Sequence, residues 1–241
     1  MLYLIGIGLW DEGDITLKGI ETAKKCKKLY LESYTSLWGG NLEKLGLKPE
    51  IIQRRGMEDD MQKLIDEAKD EDIGILVPGD ALMATTHSSL VLDARNQGVE
   101  VKIIHAASII SALGETGLQI YKFGKTATIP YIETDAPYKI LEDNLNSGAH
   151  TLCLLDITPE RLMACGEGLK KLLEMEGRGK LGLICEDSEV VIFCRAGSPE
   201  QVLRFGKVRD FLEFDCTLCV IIVPGHLHFA EREFLESLRQ P

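Results

Sequence analysis

Short apolar runs alternate with helical patterns along the first hundred residues of this 241-residue chain. The intervening segments carry apolar side chains at helical spacing. Because parallel strands need a long crossover between them, usually a helix, this order predicts a parallel sheet covered by helices on both faces. We expect five strands in it, at residues 2–8, 29–34, 51–54, 73–77 and 101–104.

The rest of the chain predicts a second α/β domain. Several of its apolar runs are joined by short turns, which connect antiparallel neighbours, so we expect a mixed sheet. Its strands are expected at residues 126–131, 150–157, 189–195, 205–212 and 218–223. The chain should therefore form two α/β domains, an N-terminal one over residues 1–105 and a C-terminal one over residues 106–241, with an active-site cleft between them.

Local signals also predict where two helices begin. Asp14 is expected as the N-cap of a helix that ends near Lys25, since a short acidic side chain accepts hydrogen bonds from the first free N–H groups. The longest helix of the second domain is expected to run from about Pro159 to Met175.

The charge balance argues against nucleic acid as a partner, and the length of the apolar runs argues against a membrane. Lys and Arg number 27 against 38 Asp and Glu, a net charge of −11, whereas nucleic-acid binding needs concentrated positive charge. The longest apolar runs have strand length, far short of the roughly 20 residues that span a bilayer. The first apolar run is brief and acidic residues follow it, unlike a signal peptide. We expect a cytoplasmic protein that binds neither nucleic acid nor membrane.

The seven cysteines predict buried reduced thiols. Their number is odd, and most lie in apolar or helical surroundings, which argues against a disulfide framework. Cys216 and Cys219 form a CxxC pair that leads into a predicted strand, whereas the redox motif of thioredoxin opens a helix. No second pair completes a zinc site, so we favour a structural role.

His226 and His228 with Glu231 form another candidate metal site. No third strong ligand stands at a fixed spacing from the two histidines. A structural role, or contact with a substrate, is therefore favoured, and we predict no metal.

Residues 75–83, Ile-Leu-Val-Pro-Gly-Asp-Ala-Leu-Met, predict a buried strand followed by a tight turn and the start of a helix. The carboxyl ends of parallel strands open onto the ligand crevice of such sheets. Gly79 permits close backbone approach, and Asp80 places a carboxylate there. The alternative that Asp80 only caps the next helix stays open at this point. Gly6 and Gly8 end the first strand, but Asp11 stands where a dinucleotide fingerprint needs glycine.

Several stretches, in order along the chain, resemble one family. Gly-Asp-Ala-Leu at residues 79–82 resembles the Gly-Asp-Pro-Leu motif of the tetrapyrrole-methylase superfamily, with Ala81 in place of the usual proline. Within that superfamily the diphthine synthase family is the most similar. Four further stretches agree with it, at residues 4–16, 105–125, 195–198 and 222–228.

The resemblance implies the tetrapyrrole methylase fold and S-adenosylmethionine as the methyl donor, with S-adenosylhomocysteine as product. Family contacts to this cofactor come largely from main-chain groups and apolar side chains. We assign the carboxylate to the cofactor's amino group or ribose, because the sulfonium loses its charge in the transition state. No arrangement resembles an activated base, so no catalytic residue is named. The positions implied are Leu9, Asp80, Met83, Ser108, Ile109, Leu155, Ala196 and Cys219.

The resemblance also implies the acceptor, which is translation elongation factor 2. A histidine of that protein, already carrying an aminocarboxypropyl arm, is trimethylated on its amino group. Residues 121–125 are candidates for holding the carboxylate of that arm. A homodimer is implied as well.

Two alternatives stay open. A corrin or porphyrin-precursor methyltransferase shares the fold and the cofactor, and residues 105–125 and 223–228 favour the diphthine synthase family over it. A non-catalytic nucleotide-binding scaffold is the alternative outside the enzymes.

Overall fold

The computed structural model describes residues 1–33, 36–52, 61–158 and 160–239. The chain divides into two compact units, Met1–Ala112 and Leu113–Pro241, here called unit 1 and unit 2. The domain boundary expected at residues 105 and 106 stays a prediction. The parts of predicted elements that fall on residues 34, 53–60 and 159 lie outside the described residues.

The described part of unit 1 contains one five-stranded sheet, in the order β3-β2-β4-β1-β5. Every pairing in it is parallel, which confirms the sheet predicted from the sequence. Since β1 and β4 are neighbours near its centre, the turns that follow these two strands come together at one edge. The strands are β1 (Leu2–Gly6), β2 (Lys28–Glu32), β3 (Glu50–Ile52), β4 (Ile73–Val77) and β5 (Val101–Ile104).

Both faces of the unit 1 sheet are buried. Leu2 and Leu4 of β1 belong to one apolar cluster, whereas Ile5 and Ile7 belong to another. Alternate residues of a strand point to opposite faces, so two cores are expected where helices cover both sides. The α-helices in the described part of unit 1 are α1 (Leu17–Lys25), α2 (Met61–Asp70), α3 (His87–Asn96) and the short α4 (Ile109–Ala112).

Unit 2 carries the predicted mixed sheet, in the order β6-β7-β10-β8-β9 over its described residues. β6 and β7 pair in parallel, and the other neighbours pair antiparallel. The strands are β6 (Ala127–Ile129), β7 (Thr151–Leu155), β8 (Glu189–Cys194), β9 (Val202–Lys207) and β10 (Cys219–Val223). The helices are α5 (Ala136–Asn146), α6 (Cys165–Gly179) and α7 (Phe229–Ser237).

The start of α6 differs from the prediction. It begins at Cys165 instead of near residue 159, which lies outside the described residues. Before the helix, Thr158 N–H donates to the Arg161 carbonyl at 2.9 Å. The N–H groups of Cys165 and Gly166 donate to carbonyls at residues 216 and 214. Tertiary partners, absent from the local sequence, therefore set this boundary.

The predicted N-cap of α1 is wrong. The Thr16 hydroxyl accepts the hydrogen bond from Gly19 N–H at 3.0 Å, and α1 begins at Leu17. The Asp14 carboxylate instead accepts from Trp10 N–H at 2.7 Å, so it stabilises the turn after β1. No helix in the described ranges is both long and apolar enough to cross a membrane.

We predict that Thr16→Ala lowers the free energy of unfolding by about 1 kcal/mol, because it removes the side-chain cap of α1. The measurement is urea unfolding followed by circular dichroism. Thr22→Ala is the matched control in the same helix. The Thr22 hydroxyl donates to the Lys18 carbonyl within α1, and alanine has the higher helix propensity, so this variant should lose no stability. Equal losses in both variants would contradict the assigned cap.

Candidate functional site

The turns after β1 and β4 are joined by their main chains. Gly8 N–H donates to the Gly79 carbonyl at 3.2 Å, and Gly79 N–H donates to the Gly8 carbonyl at 2.8 Å. Both glycines have positive φ, +83° and +74°, which other residues rarely adopt. A Cβ at Gly6 would lie 2.7 Å from the Gly79 carbonyl oxygen. The close approach of these two strand ends therefore depends on glycine at all three positions.

Asp80 connects the turn after β4 to the turn after β5. Its Oδ2 accepts hydrogen bonds from His105 Nδ1 at 2.8 Å and from Ala106 N–H at 3.2 Å. Its Oδ1 accepts from Leu82 N–H at 3.0 Å. The residue is only 5% exposed. A carboxylate offers about four acceptor positions, so these three donors, taken from the described residues, leave room for one more.

Ala81, which stands where the family motif has proline, lies in a turn held by side-chain contacts. Ala81 is fully buried, and its carbonyl lies 3.1 Å from the His87 Nδ1. Burial lowers the pKa of His87, which favours a neutral imidazole that donates from Nδ1. The side chains of Asp80 and His87 thus hold the backbone on both sides of the substituted position.

Five of the predicted cofactor positions follow the carboxyl ends of β1, β4 and β5. Ser108 is buried, and a Cβ at Gly79 would lie 3.6 Å from the Cβ of Ser108. Met83 is half exposed, while Leu9 and Ile109 are partly buried. The unit 1 sheet therefore brings the turns that carry these residues to one edge. The five positions are Leu9, Asp80, Met83, Ser108 and Ile109.

The other three predicted positions share one end of the unit 2 sheet. β10 begins at Cys219, opposite the last residue of β8, Cys194. In the next pairing along the sheet Val220 faces Leu154, so Leu155 at the end of β7 lies at the same end. Ala196 follows β8 by two residues. The three positions are Leu155, Ala196 and Cys219.

A surface pocket of about 470 Å³ lies elsewhere on unit 2. None of the eight predicted cofactor positions is among its lining residues, so it adds nothing to the assignment. The lining residues are Tyr131, Ile132, Glu133, Thr134, Lys171, Glu174, Met175 and Arg178.

Comparison with known proteins identifies the family. Residues 1–212 match the family model of the Tetrapyrrole (Corrin/Porphyrin) Methylases. The chain is 47% identical to a diphthine synthase of Methanocaldococcus jannaschii, over 99% of this chain and 98% of that protein. It is also 47% identical to one of Methanococcus maripaludis, with the same coverage of both chains. The chain belongs to the tetrapyrrole methylase family.

Solved structures agree with this membership. A crystal structure of diphthine synthase matches with a TM-score of 0.91 at 34% identity, over 99% of this chain and 95% of that one. An Entamoeba histolytica protein matches with the same TM-score and identity, over 100% and 99% of the two chains. The predicted fold is confirmed, and the chain is a methyltransferase similar to diphthine synthases.

In unit 2 of this methylase, Glu231 is a buried carboxylate with four partners from three segments. Its Oε1 accepts from His150 Nε2 at 3.0 Å and from Gln119 N–H at 2.9 Å. Its Oε2 accepts from His228 N–H at 2.7 Å and forms an ion pair with Lys122 Nζ. The Glu231 side chain is 1% exposed. It therefore fixes α7 against the segment before β6 and the start of β7.

The ionisation of this cluster follows from its contacts. Burial acts to raise the pKa of Glu231, but Lys122, two main-chain N–H groups and His150 outweigh burial and hold the pKa at about 2. Burial lowers the pKa of His150, against the opposing effect of Glu231. A neutral His150 fits its contacts, because Nε2 donates to Glu231 while Nδ1 accepts from Gly225 N–H at 2.9 Å. The charged pair is thus Lys122 and Glu231.

Of the two histidines that suggested a metal site, His228 has a structural contact through its side chain, whereas His226 has one through its main chain. His228 Nδ1 accepts from Ala230 N–H at 3.3 Å, which caps α7, and the His226 carbonyl accepts from Lys122 Nζ at 2.7 Å. Glu231 is fully used by the cluster described above. No group of three or more metal-ligating side chains with suitable geometry occurs within the described ranges.

The sequence did not predict the partners of Glu231. Lys122 and His150 lie 109 and 81 residues away from it, and neither stands in a motif that pairs it with an acid. Glu231 itself occupies the third position of a helix that His228 begins, which is the spacing of a capping box. That local signal identifies the cap but not the buried ion pair.

We predict that Glu231→Gln lowers the free energy of unfolding by about 3 kcal/mol at pH 7, the equivalent of moving a carboxyl pKa from 4.5 to about 2. The folded-state pKa is lowered, so this contribution is complete above the unfolded pKa. It disappears as pH falls from about 4.5 towards 2. The wild-type and variant stabilities should therefore converge in that range. Urea titrations at a series of pH values measure the difference.

Glu233→Gln is the matched control, since Glu233 lies exposed on the same helix and should change stability by less than about 0.5 kcal/mol. A constant difference between wild type and Glu231→Gln from pH 7 to pH 2 would show that the charge of Glu231 is not what stabilises unit 2.

Proposed function

We propose that this methyltransferase uses S-adenosylmethionine to methylate the amino group of an aminocarboxypropyl-histidine in translation elongation factor 2. The amine ends as a trimethylammonium, and S-adenosylhomocysteine is the second product. The observation that carries the proposal is similarity over the whole chain to proteins named diphthine synthase, at 47% identity over 99% of this chain. We further propose that the enzyme acts in the cytoplasm as a homodimer, as the resemblance implies.

The proposed cofactor contacts of unit 1 fit the chemistry of S-adenosylmethionine. Gly8 and Gly79 expose main chain at the turns, which suits a ligand held by backbone groups. The Asp80 carboxylate has about four acceptor positions, and the three hydrogen-bond donors described in unit 1 leave one of them for a ligand. A ribose hydroxyl or the cofactor's ammonium group can donate to that position. Leu9, Met83, Ser108 and Ile109 complete the proposed set in this unit.

The proposed contacts of unit 2 are mostly apolar. Leu155, Ala196 and Cys219 offer no charge, and Cys219 is almost fully buried. An uncharged surface suits a methyl donor whose sulfonium charge is lost during transfer, because it does not over-stabilise the ground state.

When bound, S-adenosylmethionine supplies an electrophilic methyl group. The enzyme's own residues need to align the acceptor nitrogen with that methyl group. Such alignment can lower the activation free energy by roughly 7–11 kcal/mol. An α-amino group has a pKa of about 8, so its neutral form at pH 7 lies only about 1.4 kcal/mol above the ammonium. A strong general base is therefore not required, and none is assigned.

Residues 121–125 stay candidates for holding the acceptor's carboxylate. Tyr121 is 83% exposed, and Lys125 forms an exposed ion pair with Asp143 at 2.9 Å. Lys122 is engaged with Glu231 and the His226 carbonyl. Of the two lysines, Lys125 is therefore the better proposed contact, because an exposed ion pair is weak and easily exchanged.

The alternative activity is methylation of a corrin or porphyrin precursor, which the matching family model includes by name. The full-length relatives named diphthine synthase favour the protein substrate. The scaffold alternative has no support, since the chain belongs to a family of methyltransferases.

Incubation of the enzyme with methyl-labelled S-adenosylmethionine and elongation factor 2 bearing the modified histidine tests the activity. We expect mass increases of one, two and three methyl groups on that histidine, read by peptide mass spectrometry. Elongation factor 2 with the unmodified histidine is the control and should acquire no label. Transfer to a porphyrin precursor, without transfer to the modified protein, would contradict the proposal.

We predict that Asp80→Ala weakens S-adenosylmethionine binding by roughly 10- to 100-fold, the effect of losing a hydrogen bond to a charged group. Isothermal titration calorimetry measures the affinity. Thermal unfolding must accompany it, since three donors of unit 1 also lose their partner. Asp93→Ala, on the exposed side of α3, is the control and should bind normally. Unchanged affinity in a folded Asp80→Ala protein would remove Asp80 from the proposed contacts.

A further inference from the structure

Four cysteines lie together in the core of unit 2. Cys165, Cys194, Cys216 and Cys219 all belong to its main apolar cluster, and all four are free thiols. The Sγ atoms of Cys194 and Cys219 lie 2.6 Å apart. Cys165 N–H donates to the Cys216 carbonyl at 2.9 Å, which joins the other two cysteines through the main chain. The CxxC pair of the sequence is therefore part of a larger thiol cluster that includes the ends of two strands.

The strand register places the Cys194 and Cys219 backbones at disulfide distance. They are directly opposite each other in the antiparallel pair β8 and β10. The next opposing pair is hydrogen-bonded, since Arg195 N–H donates to the Leu218 carbonyl at 2.8 Å. Hydrogen-bonded and non-hydrogen-bonded pairs alternate, so the cysteines form a non-hydrogen-bonded pair, with Cα atoms about 4.5 Å apart. That spacing lies within the range that a disulfide spans.

The two thiols differ in acidity. The hydrogen bond between the two thiols lowers the pKa of Cys194 against the effect of burial, and Cys216, Arg195 and Arg204 act in the same direction. Burial raises the pKa of Cys219 well above its ordinary value, and its thiol neighbours raise it further. Cys194 is thus the better nucleophile and Cys219 the proton donor.

Metal binding does not account for the cluster. A zinc site of four thiolates requires a tetrahedral arrangement. Among the residues that the structure describes, no group of three or more His, Cys, Asp or Glu side chains has a geometry suited to a metal ion. The direct contact between two sulfur atoms points to chemistry between the thiols themselves.

We propose that Cys194 and Cys219 are a peroxide-sensitive dithiol that forms a reversible intramolecular disulfide. The Cys194 thiolate attacks hydrogen peroxide, the O–O bond breaks, and a sulfenic acid and hydroxide result; the hydroxide takes up the proton that Cys194 released. The Cys219 sulfur then attacks Cys194, the S–O bond breaks, and the Cys219 proton leaves with the hydroxyl group as water. Two thiols and one peroxide thus give one disulfide and two waters.

This dithiol includes one of the proposed cofactor positions. Cys219 is 6% exposed and Cys194 is fully buried, so hydrogen peroxide has to pass the Cys219 side chain to reach the Cys194 sulfur that attacks it. A ligand over Cys219 should then slow the oxidation. This consequence rests on the proposed function, whereas disulfide formation does not.

Peptide mapping of the full chain tests the proposal. The reduced enzyme is treated with hydrogen peroxide, denatured in N-ethylmaleimide, digested and analysed by mass spectrometry. We expect a linked peptide pair that joins Cys194 to Cys219, lacks two hydrogens and disappears with dithiothreitol. The exposed Cys185, whose pKa is lowered by the Ser188 hydroxyl, reports the peroxide dose in the same sample.

Two alanine variants give the matched comparison. Cys194→Ala should yield no linked peptide. Cys153→Ala should still yield it, because Cys153 is equally buried in the same core but belongs to β7 and lies outside the thiol cluster. Alkylation of both Cys194 and Cys219 in the wild type, at a dose that oxidises Cys185, would overturn the proposal. So would stoichiometric zinc in the purified protein.

Saturation with S-adenosylhomocysteine separates this proposal from the proposed function. At ten times its dissociation constant we expect disulfide formation to be roughly tenfold slower. A disulfide that forms at an unchanged rate would contradict the placement of Cys219 at the cofactor while supporting the dithiol. Normal cofactor binding by a protein that forms no disulfide would overturn the dithiol alone.

Discussion

The mutual hydrogen bonds between Gly8 and Gly79 are the constraint on which the candidate site of unit 1 depends. They fix the turns after two neighbouring parallel strands, and glycine is required because both residues have positive φ. Asp80 then extends this connection to the turn after β5 through His105 and Ala106. The turns after three strands are therefore held in fixed positions at one edge of the sheet. A ligand bound mainly by backbone groups needs such a preorganised edge.

A buried carboxylate has the same organising role in unit 2. Glu231 joins segments that are far apart in sequence, and its low pKa follows from the number of donors around it. Removing one partner of such a cluster leaves the others buried without compensation, so the arrangement is sensitive to single substitutions. The cluster also includes the main chain on both sides of Leu227, because His228 N–H donates to Glu231 and the His226 carbonyl accepts from Lys122.

Much of the fold and part of the candidate site were predictable from the sequence, because they rest on local patterns. Apolar runs of strand length predicted both sheets. The turn with Gly79 and Asp80 follows the carboxyl end of a parallel strand, which is where such sheets bind ligands. The start of α6 was not predictable, since it depends on carbonyls fifty residues away. The Asp14 prediction failed because two polar residues near one helix start competed for the cap, and Thr16 has it.

The sequence by itself determined the α/β class, the two sheets and the family, because periodicity and short motifs are encoded by neighbouring residues. Only the tertiary structure decided which partners the buried polar groups and thiols have. Asp80 with His105, Glu231 with Lys122, and Cys194 with Cys219 are pairs separated by 25 to 109 residues. Such pairs arise from the packing of strands, helices and turns that are far apart in the chain, and no local pattern specifies them.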